Sequence, residues 1–312
     1  MRSYYIITHG NLSKKDNTLL FKNKNKEQII PIEDVRDIFI ISEVAITSQV
    51  LKMLSKQGVV INFFGVYGNY IGSFYPKDTY ELGSVLINQI KHYEDKEKRL
   101  YIAKEFVAGA IVNCSKVVDI EYESFLEKLN RVNTINELMG IEANFKKMYY
   151  KILEKHTGLN FGKRTKRPPT NELNTLISFG NSILYGKVLS YIYRSPLNPN
   201  ISYLHEINQR RMSLSLDIAE IFKPVVVDSV ILRLSRNGML EKGFFSKSKD
   251  RIVLTKEGIK SFVKALDDRM EEHINLDKEE KSYSINTLVK FEVLKLLKHI
   301  EKEETYKSLK LC

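Results

Sequence analysis

The sequence predicts mixed α and β structure in segregated domains: an N-terminal β-sandwich-like domain followed by a mostly α C-terminal domain. Three observations predict it. Up to residue 75, short β-branched and aromatic runs alternate with turn residues. A polar, proline-containing stretch, residues 76–81, then interrupts the pattern as a linker. From residue 82 to 312 apolar residues recur at helical spacing.

The strand-rich part contains SYYIIT, NTLLFKN, EQIIPIEDV, DIFIIS, VVINFFG and NYIGSFY, each short enough for a strand of a small sandwich. Between the fourth and fifth runs, TSQVLKMLSKQG places Val50, Leu51 and Leu54 on one helical face, ended by Gly58. Beyond the linker, Leu86, Ile90, Tyr93, Leu100, Phe106, Val107 and Ile111 predict one long bracing helix. Helical spacing continues over residues 122–129 and 135–155, where Leu138, Ile141, Phe145, Met148 and Tyr149 form the expected buried stripe. Residues 171–193 read as a core helix whose small residues permit close packing. Near the end, Leu288, Phe291, Leu294 and Leu297 mark a last amphipathic helix.

A net charge of +11 and a pI of 9.3 point to an anionic partner, most often nucleic acid. Two cysteines, Cys114 and Cys312, make neither a disulfide framework nor a zinc cluster, which fits a reducing cytoplasm. The apolar run in MRSYYIITHG is too short for a signal peptide, and no stretch nears the ~20 apolar residues of a spanning helix. A soluble, cytoplasmic protein without a membrane partner is expected. His205-Glu206 lacks a second histidine for an HExxH site, and Gly65, Gly68 and Gly72 lack phosphate-loop spacing.

The chemistry concentrates in SYLHEINQRRMSLSLDIAEIFKP, residues 202–224. Asp217 and Glu220, spaced i, i+3, share a face of a helix that Ser213 could cap. His205 falls on a preceding helical segment that stops near Met212. Imidazole and carboxylates together suit a divalent metal, although a lone histidine is more often structural. On its own pattern, Glu142 reads as an exposed helix residue paired with Lys146 at i+4. The proline-containing loop LNFGKRTKRPPT, with Lys163, Arg164, Lys166 and Arg167, suits a phosphate backbone or a plain solvated connector. Tyr185 could reach the site from the core helix.

ELMGIEANFKKMYY, LISFGNSILYG and LNPNISYLHEINQRRMSLSLDIAEIFKPVVVDSVI resemble, in this order, the motifs of a known family. It is the CRISPR-associated adaptation endonuclease and integrase family, the universal "Cas one" subunit, and the resemblance covers essentially the whole chain. The resemblance implies a site for Mg²⁺ or Mn²⁺ made by Glu142, His205 and Glu220, with Asp217 as an additional catalytic acidic residue beside the metal. It implies joining of a spacer DNA 3′-hydroxyl to the repeat array, with nuclease activity on branched DNA. It further implies double-stranded and branched DNA as substrates, a homodimer through the strand-rich domains, and a small ferredoxin-like adaptation partner. Lys147 replaces the family's arginine after the first glutamate, keeping charge but losing the bidentate fork. Ser229 stands where many relatives carry arginine and receives no role. Lys146, Lys147 and the basic loop are the candidate phosphate contacts.

Two other readings stay open. A transposon-type integrase of the same family shares the metal motifs but often carries extra DNA-binding domains, for which no stretch before Cys312 is left. A non-catalytic DNA-binding protein would rest on residues 225–265, where helix, hairpin and helix with Lys247, Lys249 and Arg251 resemble a winged helix.

Overall fold

The runs DIFIIS and VVINFFG form the centre of a four-stranded sheet and are buried on both faces, as continuous hydrophobicity requires. The computed structural model describes residues 1–65, 67–76, 82–165, 168–207, 212–240, 243–248, 251–276, 281–302 and 304–311. Its strand-rich part comprises β1 (Arg2–Ile6), β2 (Gly10–Lys15), β3 (Thr18–Lys22), β4 (Glu27–Pro31), β5 (Val35–Ile40), β6 (Val44–Ile46), α1 (Ser48–Lys56), β7 (Val60–Phe64) and β8 (Tyr70–Phe74). One sheet runs β1-β5-β7-β8 and the other β4-β3-β2-β6. β5 is parallel to β1 and β7, whereas β8 closes the first sheet antiparallel to β7. β2 and β6 escaped the sequence reading because GNLSKK is polar and VAI is only three residues long.

One face of the first sheet joins Leu12, Leu19 and α1 residues Val50 and Leu54 in a core of its own. Its other face presents Phe39 and Phe64 to the helical part. Burying a side chain like Phe39, which is fully inaccessible, contributes about 1.5–3 kcal/mol.

The helical part follows as α2 (Gly83–Glu94), α3 (Lys96–Ser115), α4 (Glu123–Asn130), α5 (Ile135–Thr157), α6 (Glu172–Tyr193) and α7 (Ser213–Lys223). A π-helical turn, Pro224–Asp228, leads to α8 (Ser229–Arg236), then β9 (Phe245–Ser248), β10 (Arg251–Leu254) and α9 (Lys256–Glu271). A short hairpin of β11 (His273–Asn275) and β12 (Ser282–Ser284) precedes α10 (Ile285–Ile300). Expected as one helix, residues 83–115 break at Asp95, whose carboxylate accepts from the amides of Glu97 and Lys98 and starts α3 afresh. In α5 the buried stripe is Leu138, Phe145, Tyr149 and Leu153, with Met148 exposed. In α10 Leu288 is buried as expected, but Phe291 and Leu294 face outward. Among the described residues no helix is long and apolar enough to cross a membrane. Most of the expected linker, residues 77–81, lies outside the described residues, as does Cys312.

The two parts are locked by close contacts. Lys187 of α6, 2% exposed, donates to Ser3 Oγ at 2.9 Å and to Asp267 Oδ1 at 2.8 Å. Gly68, in the β7–β8 turn, has φ +78°, and a Cβ there would lie 2.0 Å from the Phe179 ring of α6. Only a glycine satisfies both demands. Gly68→Ala is expected to cost about 1–3 kcal/mol of stability, read as a lower urea midpoint with an unchanged slope.

Candidate metal centre

α7 is buried along its whole length, so its charged residues cannot point to bulk water. Asp217, Glu220 and Lys223 recur every three residues and form one buried polar stripe. Asp217 Oδ2 accepts from the amides of Tyr203 at 2.7 Å and Leu204 at 2.9 Å, and Oδ1 from the His205 amide at 3.1 Å. His205 Nδ1–H donates to the same Oδ1 at 2.7 Å. His205 therefore lies in an irregular loop and not on a helix, because Asp217 supplies the acceptors that helical carbonyls would have given.

This bond fixes the imidazole and leaves Nε2 as the nitrogen able to ligate. Burial works against protonation of His205, but the Asp217 bond and charge, with Glu220, raise its pKa overall. Asp217 itself is fully buried, with both oxygens taken up by His205 and the loop amides. Ser213 does not cap α7: Met212 occupies the cap position at φ +59°, and Ser213 Oγ donates to the Asn200 carbonyl.

Glu142 comes from α5. Burial and the neighbouring charge of Glu220 push its carboxyl up, against Lys146, Lys223 and His205. Burial also pushes Glu220 up, but Lys223, Lys146 and His205 outweigh it and hold it at about 2. The three expected ligands thus share one electrostatic neighbourhood. Lys146 pairs with Glu220, 3.7 Å away across two helices, and not with Glu142 as expected. Lys223 Nζ donates to Glu220 Oε1.

Two carboxylates and one imidazole nitrogen are a donor set that suits a hard or borderline divalent cation. Among the described residues, no three His, Cys, Asp or Glu side chains are gathered tightly enough to hold a metal as they stand. Glu220 is turned onto the Lys223 ammonium instead.

Sequence reasoning missed Lys223 and Asp228. The spacing Glu220 to Lys223 was a readable signal, as was a lone aspartate in VVVDS. Asp228 is buried, takes a hydrogen bond from Tyr149 Oη at 3.1 Å, and is pushed up by burial to about 6, although Lys146 and Tyr149 oppose this. Of the expected phosphate contacts, Lys147 and Lys163 are exposed. Arg164 is folded inward, donating to Asn174 Oδ1 at 2.8 Å and Ser178 Oγ at 3.0 Å, and burial lowers its pKa. That corrects its reading as a loop residue open to phosphate. Lys166 and Arg167 lie outside the described residues. The centre of the Tyr185 ring lies 5.0 Å from Lys223 Nζ. In the winged-helix segment Arg251 stacks on Tyr67, 4.0 Å from ring centre, and Lys249 lies outside the described residues.

Residues 4–268 match the family model described as CRISPR associated protein Cas1. The chain belongs to the Cas1 family. The CRISPR-associated endonuclease Cas1 2 of Moorella thermoacetica is 41% identical over 319 residues, covering 100% of this chain and 99% of the relative. A Cas1 structure from Thermotoga maritima superposes with a TM-score of 0.89 at 37% identity, over 99% of this chain and 100% of that one. Two distant structures share the fold alone. A casposase bound to integration product has a TM-score of 0.88 at 20% identity, over 99% of this chain and 93% of that one. A Cas6-RT-Cas1–Cas2 complex has a TM-score of 0.84 at 17% identity, over 99% of this chain and 36% of that one. Relatives that match this Cas1 chain over nearly their full length are named CRISPR-associated endonucleases.

Replacing Asp217 by Asn keeps the shape but turns an amide donor toward two of the four N–H groups that the carboxylate accepts. Asp217→Asn is expected to lose about 2–4 kcal/mol of stability, measured by chemical denaturation.

Proposed function

We propose that this Cas1 chain is a divalent-metal-dependent endonuclease and integrase of CRISPR adaptation. It joins the 3′-hydroxyl ends of spacer DNA to the repeat array by transesterification and cuts branched DNA by the related hydrolysis. The observation that carries this reading is the His205–Asp217 bond on the face of α7 that also bears Glu220, with Glu142 of α5 in the same electrostatic neighbourhood.

Glu142, His205 Nε2 and Glu220 would hold Mg²⁺ or Mn²⁺. A bound divalent cation neutralises a non-bridging phosphate oxygen and makes the attacking hydroxyl more acidic. Asp217 keeps the imidazole in one tautomer and one orientation throughout. The new bond joins the spacer 3′-oxygen to phosphorus, and the broken P–O bond releases a 3′-hydroxyl on the array strand. No side chain is covalently modified, so no serine or tyrosine nucleophile is needed. Lys147 and Lys163 are placed in contact with the DNA backbone, whose binding then weakens with salt.

The strand-rich residues 1–75 are assigned to homodimer formation, residues 76–81 to a linker, and residues 82–312 to catalysis. A small ferredoxin-like adaptation protein is the expected partner, and the cytoplasm the expected compartment. The Cas6-RT-Cas1–Cas2 fold match and the basic charge of +11 support a partnered, DNA-directed role.

The test is spacer integration and branched-DNA cutting by folded Glu142→Gln, His205→Ala and Glu220→Gln proteins, each with Mg²⁺, Mn²⁺ or a chelator. Losses of roughly a hundredfold or more are expected for each variant and for metal removal. Full activity in the chelator, or in His205→Ala, overturns the reading.

A further inference from the structure

Glu220 is gripped by two ammonium groups from different helices. Lys223, 9% exposed at its side chain, binds Oε1 from one turn along α7. Lys146, 12% exposed, approaches Oε2 from α5 at 3.7 Å. Its Nζ is buried with no hydrogen-bond partner, as is Asp228 Oδ1 near it. Other near groups are the Tyr149 ring, 6.0 Å from Nζ, the buried Cys114 thiol and Tyr150. An ammonium in such surroundings is costly unless negative charge demands it.

That demand comes from Glu220, buried, and Glu142, half-buried, which act on the same two ammonium groups. Lys146 and Lys223 already answer these glutamates. A divalent cation added without displacing either would meet two like charges in a partly desolvated space. It would also find Glu220 Oε1 taken.

We propose that Lys146 and Lys223 are resident counter-ions of the metal carboxylates, and that a divalent cation enters by exchange, displacing the Lys223 ammonium from Glu220. This rests on the metal reading above and adds to it a control on affinity. Glu220 thus has a partner with or without metal, and the site does not collapse by carboxylate repulsion when empty of cation. The displaced ammonium has a second resting place at the face of Tyr185, 5.0 Å from Nζ in the present arrangement. Lys146 has no hydrogen bond to give up, so it stays and keeps the site's affinity for metal low.

The experiment titrates the full-length protein with Mn²⁺ alone, counting free ion by electron paramagnetic resonance, and records thermal melts in chelator. Lys146→Met and Lys223→Met are compared with the parent, with Glu220→Gln and His205→Ala as controls. Each lysine variant is expected to bind Mn²⁺ roughly tenfold more tightly. Each should also melt at a lower temperature in chelator and recover on adding Mn²⁺. Unchanged or weaker Mn²⁺ binding by the lysine variants, with both controls losing it, overturns the exchange and leaves the metal assignment standing. Parent-like binding by the controls overturns the metal assignment, and the exchange with it. Should a methionine variant fail to fold, Lys146→Gln or Lys223→Gln carries the same measurement.

Discussion

The site depends first on where one buried carboxylate spends its hydrogen bonds. Asp217 is wholly inaccessible and gathers the amides of Tyr203, Leu204 and His205 together with the His205 ring. A buried carboxylate left short of donors would cost several kcal/mol, so the loop is bound to α7 by the donors that Asp217 requires. Further bonds tie the loop down. The Leu214 amide donates to the Pro199 carbonyl, and the Met212 amide to Asn200 Oδ1. Gln89 of α2 holds the Asn198 amide at 2.7 Å. A histidine without helix or strand around it is in this way as fixed as one on a regular element.

The second constraint is charge balance inside a helix that has no solvent face. Asp217 is answered by amides and an imidazole, and Glu220 by two ammonium groups. Each negative group on the stripe therefore has a different kind of partner. Glu220's partners are side-chain tips, of which the Lys223 ammonium is the one that a cation would displace. The backbone amides on Asp217 cannot leave without unfolding the loop. This difference fits the two carboxylates of DIAE to the separate tasks proposed for them, one to position and one to ligate.

Much of this was legible in the sequence, and the failures have particular causes. The spacing of Asp217 and Glu220 gave their shared face, because α7 is regular and helical periodicity is a local property. The double-sided burial of DIFIIS and VVINFFG was visible in their unbroken apolarity. The conformation of His205 was not legible, since the acceptor that replaces its helix bonds lies twelve residues away. Glu142 could not be told from a surface glutamate because its Lys146 neighbour reaches across to another helix, a choice made by tertiary packing. Arg164 looked like a free cation for the same reason: the neutral acceptors Asn174 and Ser178 that hold it belong to α6.

Glu142 and Glu220 can serve one cation only if α5 and α7 keep a fixed register, and the chain secures this just beyond the site. Pro224 brings no amide to the helix ladder, and the backbone widens into a π-helical turn over Pro224–Asp228. The Val225 carbonyl then accepts from Ser229 Oγ at 2.7 Å and Arg269 Nε at 2.8 Å. Ser229, for which the sequence offered no role, thus closes the turn. The turn ends at Asp228, whose carboxylate binds Tyr149 of α5, seven residues or about two helical turns beyond Glu142. A slip of α5 by one residue would break that bond and turn Glu142 away by about 100°. The widened turn and the buried tyrosine it engages thus tie α5 to the segment that follows α7.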